Sequence, residues 1–178
     1  IVAGNGSDEL IQLIAMTFSG KSRAMLTPTP GFVMYAITAT TCGYRFCPVP
    51  LEDDFSLDRD TILAAIAQEQ PALVFIAYPN NPTGNCFDPE TIRAVAHANP
   101  GLTVIDEAYA PFAEHSFLSE IGTLERTVLI RTFSKMGFAG LRLGVMIGEP
   151  AIVDQVNRLR TPYNINSLTQ ASLEFALT

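Results

Sequence analysis

The sequence contains 178 residues, of which 48% are hydrophobic and 16% charged, so it can bury one sizeable core and predicts a single domain. Its formal net charge of -7, without a dense run of lysine and arginine, argues against nucleic acid or an anionic membrane as partner and favours small-molecule ligands. No apolar run approaches the roughly 20 residues that span a bilayer, so we expect a soluble protein. The scattered Cys42, Cys47 and Cys86 do not have the spacing of a zinc site, and their small, odd number is typical of a protein of the reducing cytoplasm.

The first half of the sequence predicts alternating strands and helices. The first residues resemble the end of a strand, and Ser7 can then cap a helix that Gly20 ends. The further elements are a short strand at RAMLT closed by Pro28 and Pro30, a helix from about Phe32 to Thr41, and a strand or edge strand at YRFCPV whose ladder ends at Pro48.

The second half continues this alternation. In order, the pattern predicts a helix at LDRDTILAAIAQ, a buried strand at ALVFIAY, a helix from Pro89 to about Ala98, strands at LTVIDEAY, TVLIRTFSK and LGVMIG, and a helix from Pro150 to Arg160. The amphipathic pattern SLTQASLEFALT then ends without a capping glycine or proline, so we expect a fragment of a longer protein. The alternation predicts an α/β domain with a largely parallel sheet.

Polar residues directly follow three of the predicted strands. They are Asn80 and Asn81, the stretch from Asp106 to Tyr109, and the stretch from Thr132 to Lys135. Open α/β sheets bind ligands outside the carboxyl ends of their strands. We therefore expect these residues to line one site.

The stretch GNGSDELIQL precedes the first predicted helix. Gly4 and Gly6 allow the backbone to approach a ligand closely, and the free N–H groups at the helix start could bind a phosphate. A plain helix cap, in which Asp8 and Glu9 complement the helix dipole, explains the same residues. If a phosphate binds here, the acidic side chains must point away from it.

Two further motifs have both a structural and a functional interpretation. In YPNNPTGN, a turn accounts for Pro82 and Gly84, but an asparagine amide at the end of the strand could also donate to a ligand oxygen. Asp106 ends a strand that should be buried, so its carboxylate needs a cation or several donors. It could form a structural ion pair or cap a helix, or it could keep a ligand's ring nitrogen protonated, with the Tyr109 hydroxyl close by.

The stretch RTFSKMGFAGLRLG places Lys135 near the end of a strand. A lone lysine is usually exposed, but the flanking Phe133, Met136 and Phe138 predict an amine that is partly desolvated and able to act as a nucleophile. Five residues of suitable chemistry occur in order at the mouth of the predicted sheet or close after it: Asn81, Asp106, Tyr109, Lys135 and Arg142. Their joint arrangement favours a functional site.

These motifs together resemble the fold-type I pyridoxal-phosphate (PLP) aminotransferases. The resemblance rests on GNGSDELI, TPGFVMY, YPNNPTG, DEAYAPF, RTFSKMGFAGLRLG and RTPYNINSLTQ, which span almost the whole chain. It implies a three-layer α/β/α fold with a mostly parallel sheet, the PLP-binding large domain of that family, over residues 1–178. It also implies that the family's amino-terminal arm and carboxy-terminal small domain, with the arginine that binds the substrate carboxylate, have no counterpart in these residues.

The resemblance implies a role for each matching residue. Lys135 would bind the PLP aldehyde covalently and later transfer the substrate proton, and Asp106 would pair with the pyridinium nitrogen. Tyr109, the third implied catalytic residue, would hydrogen-bond the phenolic oxygen together with Asn81. The remaining cofactor contacts would be Phe32, stacked on the ring, and Ser7, Asp8, Thr132, Ser134 and Arg142 around the phosphate, the first two through their backbone.

The implied activity is PLP-dependent transamination between histidinol phosphate and 2-oxoglutarate in histidine biosynthesis, by a cytoplasmic homodimer that completes its site across the interface. RTPYNINSLTQ favours this branch of the family, although a loop and helix start packed on the sheet would also explain it. Other class I or II aminotransferases and threonine-phosphate decarboxylases remain alternatives. A PLP-binding effector domain of a transcription regulator is a non-catalytic alternative. We expect residues 1–178 alone to turn over substrate poorly.

Overall fold

The structure, a computed structural model, describes residues 1–20 and 23–177 and contains a seven-stranded sheet with helices on both faces. The strands are β1 (Val2–Asn5), β2 (Ala24–Thr29), β3 (Arg45–Pro50), β4 (Leu73–Ala77), β5 (Leu102–Asp106), β6 (Thr127–Thr132) and β7 (Leu143–Gly148). The helices are α1 (Ser7–Thr17), α2 (Val33–Thr41), α3 (Arg59–Glu69), α4 (Pro89–Ala98), α5 (Pro150–Leu159) and α6 (Ser167–Leu177). Thr178, the last residue of the pattern SLTQASLEFALT, lies outside the described residues.

The strand order is β1-β7-β6-β5-β4-β2-β3. Strand β7 runs antiparallel to both of its neighbours, and the other recorded pairings are parallel. The prediction of a mostly parallel sheet is therefore confirmed. Parallel neighbours need a long crossover, but β6 and β7 are joined by the short connection 133–142, which makes them antiparallel. That connection consequently leaves and re-enters the sheet at the carboxyl end of β6.

Two apolar clusters, one on each face of the sheet, give the fold its three layers. Residues of α1, α2 and α5 belong to one cluster, and residues of α3 and α4 belong to the other. Every residue of β4 and β5 is buried, as expected for central strands covered on both faces. The described residues include no helix long and apolar enough to cross a membrane.

The start of α1 differs from the prediction. Gly6, with φ of 81°, is the capping residue, Ser7 is the first helical residue, and no side chain among the described residues caps the helix. Glycine adopts this positive φ without the steric cost that a side chain would add. The predicted cap at Ser7 and the predicted end at Gly20 are therefore wrong, since α1 ends at Thr17.

The predicted boundaries at Pro28 and Pro48 are also wrong, although β2 does end directly before Pro30. Strand β2 continues through Pro28 to Thr29, and its pairing with β3 continues past Pro48. The missing N–H of Pro48 is tolerated because β3 is an edge strand. Pro28 is tolerated because the pairing of β2 with β4 has already ended at Leu26.

Candidate active site

A cavity opens at the carboxyl edge of the parallel strands, where β1, β4, β5 and β6 all end. All ten residues that the sequence suggested as cofactor contacts line it: Ser7, Asp8, Phe32, Asn81, Asp106, Tyr109, Thr132, Ser134, Lys135 and Arg142. They come from six separate stretches of the chain and converge because the strands that carry them are parallel. Tyr35 lines the same cavity and was not among the predicted residues.

One end of the cavity is suited to an anion. A Cβ atom on Gly144 would lie 2.7 Å from the Ser7 nitrogen, and one on Gly6 would lie 2.7 Å from Arg142 Nη2. The two glycines therefore let the start of α1 approach β7 and the Arg142 guanidinium closely. Uncapped amides at a helix start, next to a guanidinium, form a site for a phosphate or carboxylate.

Among the described residues, Arg142 has one ionic partner, and the pair is weak. Its Nη2 atom lies 3.4 Å from Asp8 Oδ2, and both side chains are about half exposed. Such a pair contributes little because water screens it. The predicted requirement that the acidic side chains point away is met by Glu9, whose carboxylate accepts hydrogen bonds from the Asn5 amide (2.6 Å) and from Asn164 Nδ2 (2.7 Å). It is not met by Asp8, whose carboxylate lies beside the Arg142 guanidinium.

The turn after β6 is held by hydroxyl contacts. The buried Thr132 hydroxyl lies 3.1 Å from the Ser134 hydroxyl oxygen and 3.2 Å from the Leu143 carbonyl oxygen, and it accepts a hydrogen bond from the Ser134 amide. These contacts connect the end of β6 to the start of β7. Both hydroxyls therefore lie on the anion-binding side of the cavity in a fixed geometry.

Asp106 lies at the closed end of the cavity and is 3% exposed. Tyr35 Oη donates to its Oδ2 at 2.8 Å, and the Ala108 amide donates to its Oδ1 at 3.0 Å. Burial raises the pKa of Asp106 to about 6, although the hydrogen bonds from Tyr35 and Ala108 oppose the rise. No cation among the described residues pairs with it, so this carboxylate is suited to a cationic ligand group.

Aromatic side chains flank this carboxylate. The Phe32 ring meets the Tyr35 ring edge-on with centroids 5.5 Å apart, and Tyr35 in turn stacks on Phe75 at 4.9 Å. Phe32 and Tyr35 are three residues apart in the motif TPGFVMY, so both lie on the same side of α2 and its start. This spacing is the signal from which Tyr35 could have been predicted.

The two adjacent asparagines after β4 have different environments. Asn80 is 4% exposed, and its Nδ2 donates to the Pro30 carbonyl oxygen (3.1 Å) and to Thr83 Oγ1 (2.7 Å). It therefore fixes the loop. Asn81 faces the cavity, where its amide can contact a ligand.

Lys135 is exposed, and its Nζ atom lies 4.9 Å from the centre of the Tyr109 ring. The prediction that Phe133, Met136 and Phe138 desolvate the amine is wrong, because Met136 and Phe138 are 54% and 42% exposed. The chain turns away at Gly137, whose φ is 91°. The amine can therefore reach a carbonyl group in the cavity without displacing protein.

Glu107 belongs to the polar stretch after β5 that the sequence predicts to line the site, but it does not line the cavity. It is 1% exposed and accepts hydrogen bonds from Arg131 Nη2 (2.8 Å), the Ser116 hydroxyl (2.9 Å) and the Phe117 amide (2.7 Å). A buried carboxylate with a cation and two further donors is structurally satisfied. Glu107 thus fixes the chain that follows Asp106 and has no free capacity for a ligand.

We predict that Tyr35→Phe raises the pKa of Asp106 further, by about one to two units, because a hydrogen bond to a charged group contributes roughly 1.5–3 kcal/mol. The measurement is a pH titration of carboxyl carbon resonances by NMR, without added ligand. Tyr44→Phe is the matched control, since its hydroxyl also donates at 2.8 Å but to the Ala15 carbonyl oxygen, away from the cavity. An unchanged Asp106 pKa in Tyr35→Phe would contradict this prediction.

The donor set thus fits a flat cationic ring that carries an anionic group at one end and a reactive carbonyl near Lys135.

Comparison with known proteins supports the same interpretation of the cavity. Residues 1–178 match the family model described as aminotransferase class I and II. The chain is 48% identical to histidinol-phosphate aminotransferase 2 of Nitrosococcus oceani and 47% identical to histidinol-phosphate aminotransferase of Chromobacterium violaceum, over 99% of its own length in each case.

A solved structure shares the fold. The histidinol-phosphate aminotransferase of Sinorhizobium meliloti, determined in complex with pyridoxal-5'-phosphate, superimposes with a TM-score of 0.88 at 29% identity and covers 96% of this chain. This chain covers 48% of that structure, 49% of the Nitrosococcus protein and 50% of the Chromobacterium protein. It therefore spans about half the length of the relatives that it matches.

Proposed function

Because the chain belongs to the class I and II aminotransferase family, we propose that it binds PLP in this cavity as the cofactor-binding domain of a transaminase. The observation that carries the proposal is the convergence of a buried carboxylate, an exposed lysine and a glycine-lined anion site in one cavity. Bound PLP would supply an electron sink for the substrate carbanion. We assign the whole of residues 1–178 to this domain.

The cavity residues would bind PLP at both of its ends. The phosphate would lie against the Ser7 and Asp8 amides, with hydroxyl donors from Thr132 and Ser134. Arg142 would add the compensating charge. At the opposite end, the Asp106 carboxylate would hold a proton on the ring nitrogen, and this pairing would offset the cost of burying the carboxylate.

The remaining residues would orient the ring and move the proton. Phe32 would cover one ring face, and Asn81 and Tyr109 would donate to the phenolic oxygen. The Lys135 amine would hold the cofactor through its aldehyde carbon, with water as the leaving group, and in its free form would carry the proton between the substrate α-carbon and the cofactor C4′ atom. These roles need an amine with free access to the cavity, which the exposure of Lys135 supports.

We further propose that the amino donor is histidinol phosphate and that the acceptor is 2-oxoglutarate, giving imidazole-acetol phosphate and glutamate in histidine biosynthesis. The names and identities of the Nitrosococcus and Chromobacterium relatives support this choice of substrate. We also propose a cytoplasmic homodimer as the working form. The free state of Cys42, Cys47 and Cys86 is compatible with a reducing compartment.

A substrate panel tests the substrate proposal. The whole transaminase that contains this domain, loaded with PLP, is incubated with 2-oxoglutarate and with histidinol phosphate, phenylalanine, aspartate or threonine phosphate, and glutamate and carbon dioxide are measured. We expect glutamate formation to be fastest with histidinol phosphate. Preferential transamination of phenylalanine or aspartate, or release of carbon dioxide from threonine phosphate, would assign a different branch of the family.

A further inference from the structure

The segment from Asn164 to Thr169 contacts both sides of the anion-binding end of the cavity. Asn164 Nδ2 donates to the Ala3 carbonyl oxygen at 3.2 Å, on the strand that leads into Gly4–Gly6. Thr169 Oγ1 donates to the Leu141 carbonyl oxygen at 2.8 Å, in the turn that leads into Arg142. One short segment therefore connects the start of α1 to the residue that carries the guanidinium.

Arg142 has a backbone conformation that needs support. Its φ of 49° and ψ of 48° lie in the left-handed region, which is unfavourable for a residue with a side chain. The peptide group before Arg142 contains the Leu141 carbonyl that Thr169 binds. Holding this carbonyl fixes the peptide plane from which the Arg142 side chain extends towards the cavity.

Thr169 is itself held in place. It is 3% exposed, whereas most of α6 is exposed, and Asn166 contacts it twice. Asn166 Oδ1 accepts from the Thr169 amide and Asn166 Nδ2 donates to Thr169 Oγ1, both at 2.9 Å. The only hydrogen on the Thr169 hydroxyl is consequently directed to the Leu141 carbonyl.

The opposite side of the segment is anchored in the same way. Arg160 Nη1 donates to Asn164 Oδ1 at 2.8 Å, which leaves both Nδ2 hydrogens of Asn164 for Ala3 and Glu9. The Glu9 carboxylate also accepts from the Asn5 amide. The segment is thus fixed to the start of α1 at one end while it holds the Leu141 carbonyl at the other.

We propose that Thr169 is a positioning residue that directs Arg142 towards the phosphate of PLP, an inference that rests on the proposed function. Thr169 does not touch the cavity itself, so it acts through the Leu141 carbonyl. The contribution is specific to the phosphate. Removal of the hydroxyl should weaken the binding of PLP without weakening the binding of pyridoxal, which has the same ring and aldehyde but no phosphate.

The test measures the affinity of the full chain for PLP and for pyridoxal by the absorbance of the bound form. We expect Thr169→Val to weaken PLP binding about fivefold, the effect of losing one hydrogen bond, with pyridoxal binding unchanged. Thr169→Ser keeps the hydroxyl and should restore PLP binding. Thr17→Val is the matched control, since the Thr17 hydroxyl donates to the Leu13 carbonyl oxygen at 2.7 Å within α1.

A double-mutant cycle separates positioning from general stability. In an Arg142→Ala background, Thr169→Val should cause no further loss of PLP affinity, because the group that it positions is gone. Equal losses for PLP and pyridoxal, additive losses in the cycle, or wild-type behaviour of Thr169→Val would each overturn the inference. If Thr169→Val does not fold, Thr169→Ala removes the same hydroxyl with less bulk. Failure of the unmutated chain to bind PLP would instead overturn the proposed function.

Discussion

Lys135→Ala is expected to abolish covalent capture of PLP by the full chain, together with the visible absorbance of the captured cofactor and all transaminase turnover. Lys135 lines the cavity with its amine 4.9 Å from the Tyr109 ring, between the anion-binding end and the loop after Asp106. Loss of the nucleophile removes a step that no neighbouring group can perform, because Lys135 is the only lysine among the described residues that line the cavity.

The lysine content of the chain makes the measurement decisive. The sequence contains only one other lysine, Lys21, which lies outside the described residues. Borohydride reduction followed by peptide mass analysis should find the cofactor mass on the Lys135 peptide. Lys21→Ala, the matched control, should keep both the absorbance and the label. A label on the Lys21 peptide or on the amino terminus would contradict the assignment of Lys135.

Local sequence patterns predicted the elements and much of the site. Helix α4 has the predicted bounds, Pro89–Ala98, because Asp88 caps it and proline occupies its first position. The site could be predicted because parallel strands place their carboxyl ends at one edge, so polar residues after β4, β5 and β6 must converge. Neither inference required knowledge of which strands are neighbours.

The features that escaped prediction depend on contacts between distant parts of the chain. Pro28 lies inside a strand only because the pairing of β2 with β4 ends before it, and this follows from the strand order. The hydrogen bond from Tyr35 to Asp106 joins residues 71 positions apart. The exposure of Lys135 is a local exception: its apolar neighbours did not indicate it, and the chain turns at Gly137, two residues later.

Asp106→Asn is expected to change stability and cofactor binding in opposite directions. In the protein without PLP, burial raises the pKa of Asp106 from 3.8 to about 6. The charged carboxylate therefore costs the folded state up to about 3 kcal/mol above pH 6. Removal of the charge should stabilise the cofactor-free protein by about 1–3 kcal/mol at pH 7–8, since the asparagine oxygen can still accept from the Ala108 amide while its NH2 group donates to the Tyr35 hydroxyl oxygen.

The stability difference between Asp106→Asn and the unmutated chain should depend on pH in a defined direction. Because the folded-state pKa exceeds the unfolded value, protonated Asp106 is favoured by folding, and its stabilising effect is complete below pH 3.8 and lost as the pH rises through about 6. The advantage of Asp106→Asn should therefore be full above that window and disappear below it. Denaturant unfolding at several pH values measures this, with the exposed Asp53→Asn as control.

The affinity of Asp106→Asn for PLP should fall, because the ring nitrogen would lose its buried anionic partner. Breaking a buried ion pair costs roughly 3–5 kcal/mol, so the affinity of the variant for PLP should fall by about a hundredfold or more, and turnover should fall with it. A variant that is less stable than the unmutated chain at pH 8 without PLP would show that Asp106 is a structural residue. A more stable variant with unchanged turnover would show that its burial serves something other than the cofactor. The combination of higher stability and lost function identifies a carboxylate that is kept, at a cost to the fold, for a cationic ligand.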